Sequence, residues 1–155
     1  MLYTISSIAP ICTKLHGEGK TIVLATGFFD LLHAEHLNFL QKAKAKGDIL
    51  VVAVESDERA RILKGEGRPV ESQSLRCQKV LQYCDYAITL PSDFDHFDAY
   101  DSLMAAIRPD VYAVSSHTDH LKSKTFLVEK YGGRLVIVHD WNPDISTTQI
   151  IAITH

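Results

Sequence analysis

Short apolar runs rich in β-branched residues alternate along this chain with longer segments of helical periodicity. The apolar runs are residues 21–25, 49–54, 86–90, 111–114 and 135–138. The segments whose apolar residues recur at helical spacing are 37–43, 75–83, 100–107 and 121–131. Strands and helices that alternate in this way favour a parallel sheet covered by helices on both faces. The sequence therefore predicts an α/β fold, a Rossmann-like doubly wound parallel sheet in three layers, α/β/α.

Length and composition fit one domain over residues 1–155. The chain has 155 residues, 46% of them hydrophobic and 23% charged, which is enough apolar material for a core without disulfides. No low-complexity linker, internal repeat or charge block marks a boundary. Gly47 and the pair Gly132 and Gly133 follow predicted helices, where we expect left-handed caps.

Net charge and cysteine usage limit the possible partners and compartments. A formal charge of −3 gives no general attraction to nucleic acid or to an anionic membrane, so any phosphate binding must be local. Cys12, Cys77 and Cys84 are odd in number and lack C-x-x-C spacing, which predicts reduced thiols. No apolar run reaches membrane-spanning length and no basic segment opens the chain. We therefore expect a cytoplasmic protein.

The stretch from residue 26 to 36, T-G-F-F-D-L-L-H-A-E-H, follows the first predicted strand and opens a helix. His33 and His36 are three residues apart and share one face of the first helical turn. A helix amino terminus adds unpaired N–H donors, and ligands of doubly wound sheets bind beyond the carboxyl ends of the strands. The stretch predicts a phosphate site, although incidental surface histidines are an alternative.

This stretch resembles the G-x-F-D-x-x-H-x-G-H signature of the cytidylyltransferase-like nucleotidyltransferases, with Glu35 in place of a glycine. Three further segments are similar to family motifs: K-G-E-G-R-P-V at 64–70, I-S-T-T at 145–148 and A-K-A-K-G-D at 43–48. The resemblance covers residues 20–151. It is nearest to the branch that makes ADP-activated heptose and to the glycerol-3-phosphate cytidylyltransferases, but Val114 departs from a lysine of the heptose branch.

The resemblance implies a role for each matching residue. His33 and His36 would donate hydrogen bonds to phosphates and stabilise the transition state, with Lys64 assisting. Arg68 would contact the substrate, and His117 is a candidate acceptor contact because it follows the fourth predicted strand. Mg²⁺ would arrive with the nucleotide rather than at a metal site of the protein, and the chain would form a homodimer. The expected nucleotide-binding residues are Gly27, Phe28, Phe29, Asp30, Arg76, Ser146, Thr147 and Thr148.

Several of these residues have simpler explanations. The 64–70 segment could be a solvated basic loop, and Ser146 with Gln149 has the spacing of a helix capping box. His117 and His120 could bind zinc, but no third ligand has a characteristic spacing. A carboxylate at position 35 repels phosphate, so Glu35 must point away, bind metal or forbid the usual nucleotide.

The predicted function is transfer of a nucleotidyl group from CTP or ATP to a small phosphorylated acceptor, with release of pyrophosphate. The acceptor would be a sugar, polyol or alcohol phosphate. The alternative is a nucleotide-binding or regulatory domain that lost turnover when Glu35 appeared. Serine hydrolases, P-loop kinases and Rossmann dehydrogenases are disfavoured, since G-x-S-x-G, G-x-x-x-x-G-K-[ST] and G-x-G-x-x-G are all missing from the sequence.

Overall fold

The computed structural model describes residues 2–140, in which five strands alternate with helices. The strands are β1 (Ile22–Gly27), β2 (Ile49–Val54), β3 (Tyr86–Thr89), β4 (Val111–Ser115) and β5 (Arg134–His139). The helices of the same residues are α1 (Ile5–Gly17), α2 (Ala34–Lys44), α3 (Asp57–Lys64), α4 (Gln73–Val80), α5 (Phe97–Ile107) and α6 (Leu121–Lys130). None of these helices is both long and apolar enough to cross a membrane.

All five strands are parallel and lie in the order β3-β2-β1-β4-β5. The chain winds from β1 to one edge of the sheet and then returns to build the other half. The direction of winding therefore reverses between β1 and β4, and this switch point is where doubly wound sheets bind ligands. The predicted fold class is confirmed.

Two apolar cores fill the spaces on either side of the sheet. One joins α1, α5 and α6 to residues such as Leu24 and Val51. The other joins α2 and α4 to the alternate residues Val23 and Val52. Because neighbouring residues of a strand point to opposite faces, both faces are apolar, and the strands read as continuous hydrophobic runs.

Helices α1 and α3 were not predicted, although apolar residues of α1 recur at helical spacing and pack in the core: Ile5, Ile8, Cys12 and Leu15. Pro10 lies inside α1, and the capping box of this helix pairs Thr4 with Ser7 rather than with a glutamate or glutamine. Helix α3 buries only Ala60. Its other residues are mostly charged. The helix is therefore set by its place in the fold rather than by an apolar periodicity in the sequence.

The expected left-handed caps are correct at one of the three glycines. Gly132 has φ +90°. Gly47 does not have a positive φ, and the reason for glycine there is space, since an added Cβ would lie 2.8 Å from Cγ2 of Val23. At Gly133 an added Cβ would lie 2.1 Å from the carbonyl oxygen of Pro109. The last two glycines are therefore required by close packing.

Candidate active site

A cavity of about 450 Å³ opens at the carboxyl ends of the central strands. The segment between β1 and α2 forms one wall, the segment from the end of β2 through α3 forms the second, and the segment between β4 and α6 forms the third. Eight residues with predicted roles line it: Gly27, Phe28, Phe29, Asp30, His36, Lys64, Arg68 and His117. The cavity therefore lies at the switch point of the sheet.

The turn after β1 is held in an uncommon backbone conformation. Phe29 has φ 55° and Leu31 has φ 51°, both in the left-handed region that disfavours side chains. Gly27 has no positive φ, and the reason for glycine there is space: an added Cβ would lie 3.0 Å from the Phe29 ring, which is 5% exposed. Glycine lets this ring fold back under the cavity. Such strained residues concentrate at functional sites.

His33 and His36 are held by the amino terminus of α2. His33 is the N-cap residue, and its Nδ1 accepts a hydrogen bond from the backbone N–H of Glu35 at 3.2 Å. The Nδ1 of His36 accepts from the backbone N–H of His33 at 3.2 Å, and the two rings stack with centroids 3.9 Å apart. Because both Nδ1 atoms accept, each neutral ring carries its proton on Nε2. The pair therefore presents N–H donors rather than bases.

The surroundings of the histidines keep both rings uncharged at neutral pH. Burial, helped by the nearby His33 and Lys64 and opposed by Asp30 and Glu35, lowers the pKa of His36 to about 3. Burial also lowers the pKa of His33, with the Glu35 carboxylate acting in the opposite direction. Catalysis that uses these donors would therefore not depend on a protonation step near pH 6.5. His36 lines the cavity, and His33 stacks against it.

Glu35 points away from the cavity, which is the first of the three possibilities given above for this residue. The residue is 7% exposed, and its Oε2 lies 2.7 Å from Nε2 of His139 at the end of β5. The Nδ1 of His139 lies 2.9 Å from Nζ of Lys42, which can only donate. His139 therefore accepts from Lys42 and donates to Glu35, and the carboxylate does not enter the space expected for phosphates.

Asp30 anchors the loop that joins α3 to α4. Its buried carboxylate accepts hydrogen bonds from the backbone N–H groups of Val70 at 2.8 Å and Glu71 at 3.0 Å, and from Nε of Arg68 at 3.1 Å. Arg68 is thereby held at the cavity wall, with the side chain only 9% exposed. The carboxyl-terminal half of the 64–70 segment is a fixed structure rather than a solvated loop.

Lys64 is the last residue of α3, where the same loop begins. Its Nζ is 5.5 Å from the centroid of the Phe28 ring, a cation–π distance. Burial and the neighbouring Arg68 lower the pKa of Lys64. The residue itself is exposed, so it can move toward a ligand in the cavity while Asp30 holds the other end of the loop.

Arg76 is not brought to the cavity. Its side chain is completely buried, and its guanidinium donates to the carbonyl oxygens of Phe28 at 2.7 Å and Glu71 at 3.0 Å and to Asp57 at 2.7 Å. These contacts hold the motif turn, the loop and the start of α3 together. Arg76 thus shapes the site instead of contacting its contents. Ser146, Thr147 and Thr148 lie outside the described residues.

Three cavity residues were missed by the sequence reasoning. Glu55 follows β2 directly, Arg59 lies on α3, and Lys124 lies on α6. The rule that ligands bind at the carboxyl ends of strands was a signal that could have found Glu55. Arg59 was missed because α3 itself was missed. Among residues 2–140, no group of three or more His, Cys, Asp or Glu could hold a metal ion, so His117 and His120 gain no third ligand there.

Glu55 should make the fold less stable as the pH rises. Burial raises its pKa from 4.5 to about 7, so between these values the folded state binds more protons than the unfolded state, and stability falls with increasing pH. We expect Glu55→Gln to raise the melting temperature by several degrees more at pH 8 than at pH 5. Scanning calorimetry at both pH values measures this, with Glu129→Gln on an exposed part of α6 as control. An equal change at both values would contradict it.

Comparisons with known proteins agree with this geometry. Residues 24–153 match the family model described as cytidylyltransferase-like. The Bifunctional protein HldE of Desulfatibacillum aliphaticivorans is 35% identical over 142 residues, which are 89% of this chain and 28% of that protein. The HldE protein of Wolinella succinogenes is 44% identical over 107 residues, which are 68% of this chain and 22% of that protein. The chain thus spans roughly a quarter of the length of these relatives.

Two solved structures share the fold. A lipopolysaccharide core biosynthesis protein from Thermoplasma volcanium GSS1 is 28% identical with a TM-score of 0.63, covering 79% of this chain and 97% of that one. A pantoate-beta-alanine ligase from Francisella tularensis is 13% identical with a TM-score of 0.59, covering 99% and 76%. The family match spans the motif turn, the cavity walls and β5, so the resemblance seen in the motifs is confirmed: the chain belongs to the cytidylyltransferase-like family of nucleotidyltransferases.

Proposed function

We propose that this chain transfers a nucleotidyl group from CTP or ATP to a small sugar, polyol or alcohol phosphate and releases pyrophosphate. The observation that carries the proposal is the stacked pair of neutral histidines at the start of α2, whose Nδ1 atoms accept backbone hydrogen bonds, so that the proton of each ring is on Nε2. Lys64 and Arg68 add positive charge along the same cavity. A site of this kind binds and stabilises negative charge.

The chemistry requires no covalent intermediate and no general base. The acceptor phosphate is already anionic near neutral pH, so the protein has to align it with the α-phosphorus and stabilise the charge that develops there. Neutral N–H donors suit this task, because they stabilise charge without giving up a proton. His33, His36 and Lys64 are the proposed catalytic residues.

The remaining roles are those that the family resemblance implies. Backbone N–H groups at Phe28 and Phe29, with Gly27 leaving room for the ring beneath them, would face the phosphates, as would Ser146, Thr147 and Thr148. Mg²⁺ would be held chiefly by the triphosphate, and it would offset charge on the leaving pyrophosphate. Arg68 and His117 would contact the acceptor from opposite walls. A homodimer and a cytoplasmic location remain part of the proposal.

The competing function is a nucleotide-binding or regulatory domain that has lost turnover. This alternative was considered because a carboxylate beside the phosphates would repel them. The contact between Glu35 and His139 holds that carboxylate away, which weakens the case for the alternative. Lys64, Arg68 and the His36 donor expected of an enzyme line one cavity. We therefore favour the enzyme.

A pyrophosphate-release screen tests the proposal directly. Four nucleoside triphosphates are crossed, with Mg²⁺, against glycerol 3-phosphate, hexose 1-phosphates, phosphocholine and propyl phosphate. We expect CTP or ATP to support release with one class of acceptor. If no pairing releases pyrophosphate while calorimetry shows that a triphosphate binds, the result would favour the regulatory alternative.

Lys64→Ala is expected to impair acceptor use more than nucleotide binding. Lys64 is the last residue of α3, just before the loop that Asp30 anchors, and it lines the cavity where it can contact a ligand. We expect the KM for the acceptor to rise roughly tenfold, as for a lost charge-assisted contact, with a smaller change in triphosphate affinity. Steady-state kinetics and calorimetry measure the two effects, with exposed Lys46→Ala as control. An unchanged acceptor KM would refute this division of labour.

A further inference from the structure

Glu55 is a buried carboxylate in the cavity that the proposed chemistry does not use. Its side chain is 8% exposed, and its backbone N–H donates to the carbonyl oxygen of Gly27 at 2.9 Å, which fixes it at the end of β2. The nearest cation, Nε of Arg59, is 3.8 Å from Oε2, too far for a hydrogen bond. Within residues 2–140 no group donates a hydrogen bond to this carboxylate, and Arg59 Nε has no hydrogen-bond partner.

Keeping a carboxylate in this position has a cost. Burial raises its pKa to about 7 although cations partly oppose this. A buried acid that lines a cavity and whose pKa is shifted by its surroundings is characteristic of a binding or catalytic group. The titratable and charged groups facing it from neighbouring elements are Arg59 of α3, Arg76 of α4, Tyr100 of α5, Tyr112 of β4 and Lys124 of α6.

Glu55 is unsuited to contact a phosphate, since both are anionic. It therefore faces a part of the ligand that carries no phosphate. An ammonium group would be repelled by Arg59 and by Lys124, whose Nζ is held at 2.6 Å from the hydroxyl of Thr118. A hydroxyl group fits the arrangement, because it can donate to Glu55 and accept from Nε of Arg59.

We propose that Glu55 and Arg59 form a subsite for hydroxyl groups of the phosphorylated acceptor, and that Glu55 selects acceptors by them. This rests on the proposed function, with the acceptor phosphate held by the cations of the same cavity. Ribose hydroxyls of the nucleotide have the same chemistry. We assign the subsite to the acceptor because Glu55 and Arg59 lie on the cavity wall that runs from the end of β2 through α3, and the same wall carries Lys64, which we expect to serve acceptor use.

The test compares wild type, Glu55→Gln and the exposed control Glu129→Gln. Each is assayed with glycerol 3-phosphate, a hexose 1-phosphate, propyl phosphate and phosphocholine, both by pyrophosphate release and by calorimetric binding. In wild type we expect a hydroxylated phosphate to be preferred over propyl phosphate. In Glu55→Gln that preference should fall about tenfold or more, as for a lost hydrogen bond to a charged group.

The pH dependence distinguishes recognition from a structural role. The carboxylate is ionised above about pH 7, so the difference between wild type and Glu55→Gln should be larger at pH 8 than at pH 6. Affinities for CTP and ATP, and for their 2′-deoxy forms, should be equal in the two proteins. A melting transition in the glutamine variant checks that it is folded.

The outcomes separate this inference from the proposed function. Glu55-dependent binding of hydroxylated phosphates without pyrophosphate release would support the subsite and overturn the transfer reaction. Turnover with an unchanged preference in Glu55→Gln would overturn the subsite and leave the reaction standing. No binding of hydroxylated phosphates, tighter binding of phosphocholine, or a change confined to ribose-bearing nucleotides would each overturn the subsite.

Discussion

Replacement of His33 or His36 by alanine is expected to lower turnover about a hundredfold or more. Both rings are neutral and carry their proton on Nε2, so each variant loses one aligned N–H donor to the charge that develops in the transition state. The loss should affect kcat more than KM, because the donors act most strongly on developing charge. Single-turnover pyrophosphate release measures it.

Matched variants separate chemistry from folding. His33 is the N-cap of α2, so alanine there also removes a cap worth about 1 kcal/mol. His33→Asn keeps a cap acceptor but lacks the ε donor, and should have near wild-type melting with low turnover. For His36, a glutamine side chain can place an N–H near the original Nε2. His36→Gln should therefore retain more activity than His36→Asn. Wild-type turnover in His33→Asn would remove that ring from the mechanism.

The parallel, doubly wound sheet was predictable because each strand segment is a short apolar run that a helical segment separates from the next. Local patterns were enough for this, since strand length and the spacing of β-branched residues do not depend on tertiary contacts. They failed at α1, where Pro10 and Ser7 hide the signals of a helix start, and at α3, where only Ala60 is buried. Those helices depend on contacts that a sequence pattern does not contain.

The site was predictable where the motif alone fixes geometry. The spacing of His33 and His36 requires one helical face, and the structure stacks the rings. Arg76 shows the limit: a cation beside a glycine-rich loop fits a phosphate ligand, but here the guanidinium faces protein carbonyl groups. The contact between Glu35 and His139 joins residues 104 positions apart, so no local pattern could reveal it.

Glu35→Gly is expected to destabilise the protein while leaving triphosphate affinity close to that of wild type. The carboxylate is turned from the cavity, so its removal takes little repulsion away from bound phosphates. The substitution leaves buried His139 without the Glu35 carboxylate as acceptor. Only the contact between His139 and Lys42 then remains. Loss of a hydrogen bond to a charged group costs about 1.5–3 kcal/mol, and glycine within a helix adds up to about 1 kcal/mol.

A double-mutant cycle tests whether the contact itself carries this effect. Glu35→Gln, His139→Gln and the double variant are unfolded in denaturant, and we expect a coupling free energy of about 1–3 kcal/mol between the two positions. Glu35→Gln is also the control for the glycine variant, because it keeps helix propensity while removing the charge. Additive effects would mean that the 2.7 Å contact contributes little to stability.

The same variants decide between an enzyme and a domain that lost turnover. If Glu35 opposed the nucleotide, Glu35→Gly and Glu35→Gln would both tighten binding of CTP or ATP with Mg²⁺ by a large factor. Because the carboxylate is engaged with His139, we expect both affinities to stay within a few-fold of wild type, and turnover to fall only as far as α2 loses its fixed position and the histidine donors lose alignment. Calorimetric titration of the three proteins gives the answer. A glycine variant that binds a triphosphate well while wild type binds none would establish that Glu35 closes the site.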